Sequence, residues 1–205
     1  MLILAAVFIA LRVAIKGLKI PVPGVESLYI SFDMFVNSVG SMVYGPLVGL
    51  LVGAVSDTLG AILFPTGTYF FPYIFVEMSS SFIFGLFLYR SHLTPTRVIL
   101  TRFSVTVFSN MFLGNVAFKL YQQFIMGKEV HLFTYGRLIK NAVLFPVEAL
   151  LMVFYLGAMG VVLAHLKLIP SSNGKMELKL RHLLLLCGLF CLAGGLLVLF
   201  ALDII

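Results

Sequence analysis

The sequence predicts an all-α integral membrane protein, a bundle of six helices followed by an additional C-terminal transmembrane helix. Hydrophobic residues make up 61% of the 205 residues and charged ones only 11%, with a mean hydropathy of +1.11. That leaves too little polar surface for a soluble globule. The apolar residues fall into long runs, and since a spanning helix takes roughly 20 of them, the chain has room for six or seven spans and no sizeable soluble domain. No ten-residue alternation of apolar and polar residues appears, so the spans are helices rather than strands of a closed barrel.

In chain order the spans lie near 1–16, 30–44, 46–64, 71–89, 98–125, 136–164 and 183–202. The first is apolar without a basic segment before it or a cleavage site after it, and reads as a retained span rather than a signal peptide. The second, Ser31 to Tyr44, is short for a crossing. Between them Lys16-Gly-Leu-Lys-Ile-Pro-Val-Pro-Gly-Val-Glu26 is too polar and proline-rich for lipid and predicts a loop. Pro65-Thr-Gly-Thr-Tyr-Phe70 breaks the chain again. The organisation is therefore 1–165 as the six-helix membrane domain, 166–182 as a basic cytoplasmic loop and 183–205 as an extra apolar helix. No internal repeat of the kind that organises many secondary transporters is present.

The net charge of +6 sits in the connections between apolar runs, so it reads as topology rather than as a nucleic-acid surface. With a cytoplasmic N-terminus, Arg90, Arg97, Lys167, Lys175, Lys179 and Arg181 lie inside, and Lys16, Lys19, Lys128 and Arg137 outside. The bias favours that orientation, and a site near 17–29, 65–70 and 127–135 then opens outward.

Ionisable residues within apolar spans cost at least about 2.5 kcal/mol each and mark function by default. Arg12, Asp33, Asp57, Glu77, Lys119 and Lys140 are such residues. Gly45, Gly49, Gly53 and Asp57 recur at four-residue spacing on one helical stripe, the small-residue pattern that lets helices approach closely. Asp57 itself has two readings: contact with a ligand or its site, or a structural acid bonded to a loop or paired with Arg12. Tyr69, Phe70, Phe71 and Tyr73 near Glu77 are interface aromatics or a platform for a flat ring. Arg137, Lys140 and Asn141 present two cations and an amide near the outer end of the sixth span, a region complementary to a carboxylate. Ala5, Ala6, Ala10 and Ala14 give the first helix a small-residue stripe.

No catalytic constellation is found. His-Glu-x-x-His, Gly-x-Ser-x-Gly and the phosphate-binding glycine loop are all missing. His92, His131, His165 and His182 lack metal-ligand spacing, and Cys187 and Cys191 read as packing residues. The chain is not read as an enzyme, and no cofactor or metal is expected.

Together these residues resemble the S components, the membrane-embedded substrate-binding subunits of energy-coupling factor (ECF) vitamin transporters, and among them the folate-type group. The resemblance runs over about 1–165. It rests on Ala6-Val-Phe-Ile-Ala10-Leu-Arg12, on the glycine-rich block from Tyr44 through Asp57 to Pro65-Thr66-Gly67, on Phe84-Gly-Leu-Phe-Leu-Tyr-Arg90, and on Arg137-Leu-Ile-Lys140 ahead of Pro146. It implies a six-helix S-component-like bundle in a prokaryotic plasma membrane that captures a water-soluble vitamin, folate first. Its partners would be a coupling transmembrane protein and two ATPase subunits. It also implies docking on the coupling protein through Ala6 and Ala10, and ligand contacts among Arg12, Asp57, Lys119, Arg137 and Lys140. The rings would stack on Tyr69 or Phe70. Asp33, in Ser31-Phe-Asp-Met-Phe35, departs from the folate-type pattern, which has a neutral residue there, and as a candidate ligand contact it points to a different headgroup. Pantothenate and a self-sufficient secondary transporter of a small organic anion are the alternatives.

Overall fold

The computed structural model describes residues 2–17, 19–21, 29–64, 69–129, 131–133, 135–176 and 179–201. Apart from one short ribbon, those residues form helices and their connections. They are α1 (Leu2–Lys16), α2 (Asp33–Leu63), α3 (Tyr73–Leu88), α4 (Pro95–Ser104), a π-helical segment (Val105–Leu113), α5 (Gly114–Phe124), α6 (Tyr135–His165), α7 (Ser171–Gly174) and α8 (Leu180–Ala201). The expected loop after α1 differs in two respects. Lys16 is the last residue of α1, and residues on either side of 22–28 pair as antiparallel strands β1 (Lys19–Pro21) and β2 (Tyr29–Ser31). The pairing satisfies backbone groups that an irregular segment would leave open. Residues 65–68, including most of the second expected break, lie outside the described residues. The connection 166–182 also holds the short helix α7, and α8 begins at Leu180.

Helix α2 is two antiparallel arms. At Gly45 the backbone leaves the helix at φ 83° and ψ 179°, a conformation that side-chain-bearing residues rarely adopt, and Pro46 starts the second arm. In a straight helix, residues eight apart stand about 12 Å apart. Here a Cβ placed on Gly49 would lie 3.3 Å from Ser41 Oγ. The chain therefore reverses within one residue, and Gly45 does not share the helical stripe of Gly49 and Gly53 that the sequence predicts.

Gly49, Gly53 and Gly85 then bring α3 against this hairpin. A Cβ on Gly53 would meet Glu77 O at 2.8 Å, and one on Gly85 would meet Pro46 Cα at 2.4 Å. The core runs from this interface through Phe84, Leu88, Leu93, Val98, Met152 and Leu156, all fully or almost fully buried. Helix α4 starts on a conventional cap, Thr94 Oγ1 accepting from Arg97 N at 3.3 Å with Pro95 in the first turn.

Polarity is inverted relative to a soluble fold. Arg12, Asp33, Asn37, Ser38, Ser41 and Ser81 are buried, whereas Leu47, Leu51, Ile62, Phe154 and Phe190 are exposed. Such an outer surface suits hydrocarbon as its solvent. Pro46–Leu63 and Asn141–His165 are each long and apolar enough to cross a membrane. The connections sort to two ends. Gly17 meets Phe64 and the Phe70 ring meets Tyr121 at one end, while Met42, Tyr89, Arg90, His165 and Lys167 to Ser171 line an open cavity of about 890 Å³ at the other.

Candidate ligand site at the polar end of the bundle

Helices α1, α2 and α3 meet in a buried ionic network. The Arg12 side chain, with no exposed surface, grips Asp33 with two parallel bonds, Nε to Oδ1 at 2.9 Å and Nη2 to Oδ2 at 2.7 Å. It also donates to Glu77 Oε2 at 2.7 Å and Ser81 Oγ at 3.1 Å. This planar fork matches a carboxylate in a way lysine cannot. One turn on, Lys16 Nζ donates to Asp57 Oδ1 at 2.8 Å and stands 3.9 Å from Glu77 Oε1. Its stem crosses Gly60, where a Cβ would lie 2.7 Å from Lys16 Cδ. Two cations thus face three carboxylates, and fully ionised the cluster carries one surplus negative charge.

Of the residues singled out in the sequence, Arg12, Asp33, Asp57 and Glu77 come together here. Asp57 pairs with Lys16, not with Arg12. Lys16 and Ser81 were missed; the signal for Lys16 was its position four residues after Arg12, on the same helical face. Also missed was Arg102 on α4, which is buried and ion-paired with Glu148 on α6, its Nε donating to Glu148 Oε2 at 3.1 Å. A lone arginine within an apolar run was the available signal.

Above the network the aromatic residues form a second layer. The Phe70 ring packs edge-on against Tyr121 at 5.6 Å and Tyr73 at 6.3 Å, and Tyr73 lies 6.5 Å from Tyr121. Tyr69 is exposed and makes no ring contact among the described residues. On α5, Lys119 lines an open cavity of about 450 Å³ with Gln123, Glu129, His131 and Leu132. Asn141 sits half-buried on α6; the side chains of Arg137 and Lys140 lie outside the described residues. Ala6 and Ala10 are exposed on α1.

The α4–α5 rod is wound as a π-helix over nine residues, a distortion frequent at functional sites. It places Ser109 against Ser79, Oγ to Oγ 2.8 Å. Thr106 Oγ1 and Asn115 Oδ1 are buried with no hydrogen-bond partner among the described residues.

Residues 1–159 match the family model of the ECF-type riboflavin transporter S component. The chain belongs to the S components of ECF-type transporters. The S component is 32% identical to the folate transporter FolT of Clostridium novyi (strain NT) over 121 residues, 59% of this chain and 68% of that one. It is 27% identical to FolT of Leuconostoc mesenteroides over 152 residues, 71% of this chain and 78% of that one. A crystal structure of FolT bound with folic acid superposes with a TM-score of 0.62 at 28% identity, covering 75% of this chain and 89% of that one. The fold is thus FolT-like and the family one of transporters, not enzymes. Membership implies a vitamin ligand, an ECF module as partner and a place in a prokaryotic plasma membrane.

Proposed function

We propose that this S component binds folate at the polar end of the bundle and delivers it through a coupling membrane protein driven by two ATPase subunits. The likeness to folate-bound FolT over most of that chain's length carries the reading. The site's chemistry supports it. Phe70, Tyr73 and Tyr121 provide faces and edges for a flat heteroaromatic ring, and Glu77, one turn below Tyr73, supplies acceptors for the N–H edge of a pterin. Lys119, with His131 beside it, supplies positive charge for a glutamyl tail. By their place in the sequence Arg137, Lys140 and Asn141 are further candidates for the tail, and Tyr69, Asp33 and Asp57 complete the candidate set. Thr106 and Asn115 add open acceptors. Arg12 serves from behind, holding Asp33 and Glu77 in place.

In this reading residues 1–165 are the vitamin-binding domain, 166–182 the cytoplasmic connection and 183–205 an added spanning helix. The N-terminus is cytoplasmic, which puts Arg90, Arg97, Lys167, Lys175, Lys179 and Arg181 on the inner side.

Folate titration of the detergent-purified protein is expected to saturate at one site. Lys119→Ala is expected to weaken folate about tenfold, as for loss of one charged hydrogen bond, and to leave a pterin without the glutamyl tail unaffected. Saturation by riboflavin instead, the vitamin in the family model's name, would keep the class and overturn the ligand; accumulation of substrate from an ion gradient without ATPases would overturn the class.

Ala6→Trp and Ala10→Trp are expected to spare folate binding and to block copurification with the coupling protein, because an indole there would hold the partner helix away. A complex recovered intact with both variants would remove α1 from the docking surface.

A further inference from the structure

Helix α8 lies beyond the residues matched by the family model and stands against α6 across an open groove of about 910 Å³. Val153, Phe154, Gly157, Leu186, Cys187 and Phe190 line it with apolar surface, and the one charged side chain among its lining residues is Lys175. We propose that this groove is a binding site for one anionic phospholipid, with an acyl chain along the apolar wall and the phosphate on Lys175.

Lys175 is held at the mouth of the groove by close packing of α7 on α6. A Cβ on Gly174 would lie 2.5 Å from Ala164 Cβ and 2.6 Å from Gly160 O, so the α7 backbone rests directly on the α6 backbone at Gly160 and on the Ala164 methyl. Met176 follows, with its Sδ and Cε 3.7 Å from a Cβ placed on Gly157, closing the groove beside the lysine. The cation is therefore carried on a fixed turn rather than on a free loop.

The charge around it is predominantly positive. Residues 166–182 contain four Lys or Arg and a single acid, Glu177. A glycerophospholipid carries a phosphate next to a long hydrocarbon chain, the same adjacency that Lys175 and the groove present. A soluble organic anion would leave the apolar wall unfilled. A zwitterionic lipid would bring its own cation to the lysine. Basic positions between helices on the cytoplasmic side are the usual sites of anionic headgroups. The inference rests on α6 and α8 standing in lipid with their basic ends inside, as proposed above.

The test is native mass spectrometry of the full chain released from micelles doped with phosphatidylglycerol or phosphatidylcholine. One phosphatidylglycerol is expected to be retained about fivefold better than phosphatidylcholine, the discrimination one surface cation provides. Lys175→Glu is expected to abolish the preference, and Cys187→Trp, which fills the groove, to lower retention of both lipids. Folate saturation, measured on the same samples, is expected to be unchanged in both variants, so failure here is separate from failure of the vitamin reading. Equal retention of the two lipids by the unaltered protein, or a preference that survives Lys175→Glu, would leave only annular lipid and overturn the site. Displacement by glycerol 3-phosphate would overturn it too, assigning Lys175 to soluble phosphate.

Discussion

Arg12→Ala is expected to destabilise the folded protein by about 3–5 kcal/mol, the cost of breaking a buried pair and leaving its partner charge behind. Asp33, itself buried, would lose both of its bonds from Arg12, and Glu77 and Ser81 one each. The midpoint of thermal unfolding in detergent, followed by size-exclusion chromatography, should fall well before folate affinity can be compared. Arg12→Lys keeps the charge but loses the fork, and should fall between. Arg12→Leu combined with Asp33→Leu should recover part of the loss, since the more buried carboxylate goes with its partner and Glu77, which is more exposed, keeps Lys16 at 3.9 Å. An Arg12→Ala protein that melts normally and has lost only folate affinity would show that the guanidinium serves the ligand directly.

Gly85→Val is expected to abolish monodisperse protein altogether. Its Cβ would fall 2.4 Å from Pro46 Cα, 2.6 Å from Pro46 N and 2.9 Å from Gly45 C, all of them backbone atoms of the one-residue reversal. A flexible side chain can swing away from such a clash; this turn cannot. Even Gly85→Ala should cost at least the roughly 1–3 kcal/mol of an overpacked core, and Gly45→Ala about 1–3 kcal/mol for forcing a Cβ into its backbone conformation. Gly188→Ala on α8 is the control, because a Cβ there meets nothing within 4 Å. If Gly85→Val eluted and melted like the unaltered protein, the close approach of α3 to the hairpin would be refuted.

Much of the helical layout was legible because apolar runs and their interruptions are local signals. The expected span 71–89 contains α3, and the break after Tyr44 falls where Gly45-Pro46 ends one arm and begins the next. That this break is a full reversal was not legible, since Gly-Pro permits a kink as readily as a turn. It is the contact of Gly49 with Ser41 that decides. The charged residues were legible as a set and illegible as pairs. Arg12 meets Asp33 and Glu77, Lys16 meets Asp57, and Arg102 meets Glu148 across long stretches of chain. Partner choice at such separations depends on which helices lie side by side, a property of packing rather than of spacing. The π winding of 105–113 carries no residue signature at all.

The ionic network also bears on how the chain enters the membrane. An unpaired arginine in a spanning helix opposes insertion, by about 2.5–3.5 kcal/mol at the centre and less toward an end such as that of Arg12, and Asp33 and Asp57 act on their own segments in the same way. None of these segments is neutralised until its counterpart arrives. The nascent chain should therefore wait near the insertion machinery until both arms of α2 have delivered Asp33 and Asp57, and leave it laterally as one preassembled unit of α1 and α2, onto which α3 then packs with Glu77 and Ser81.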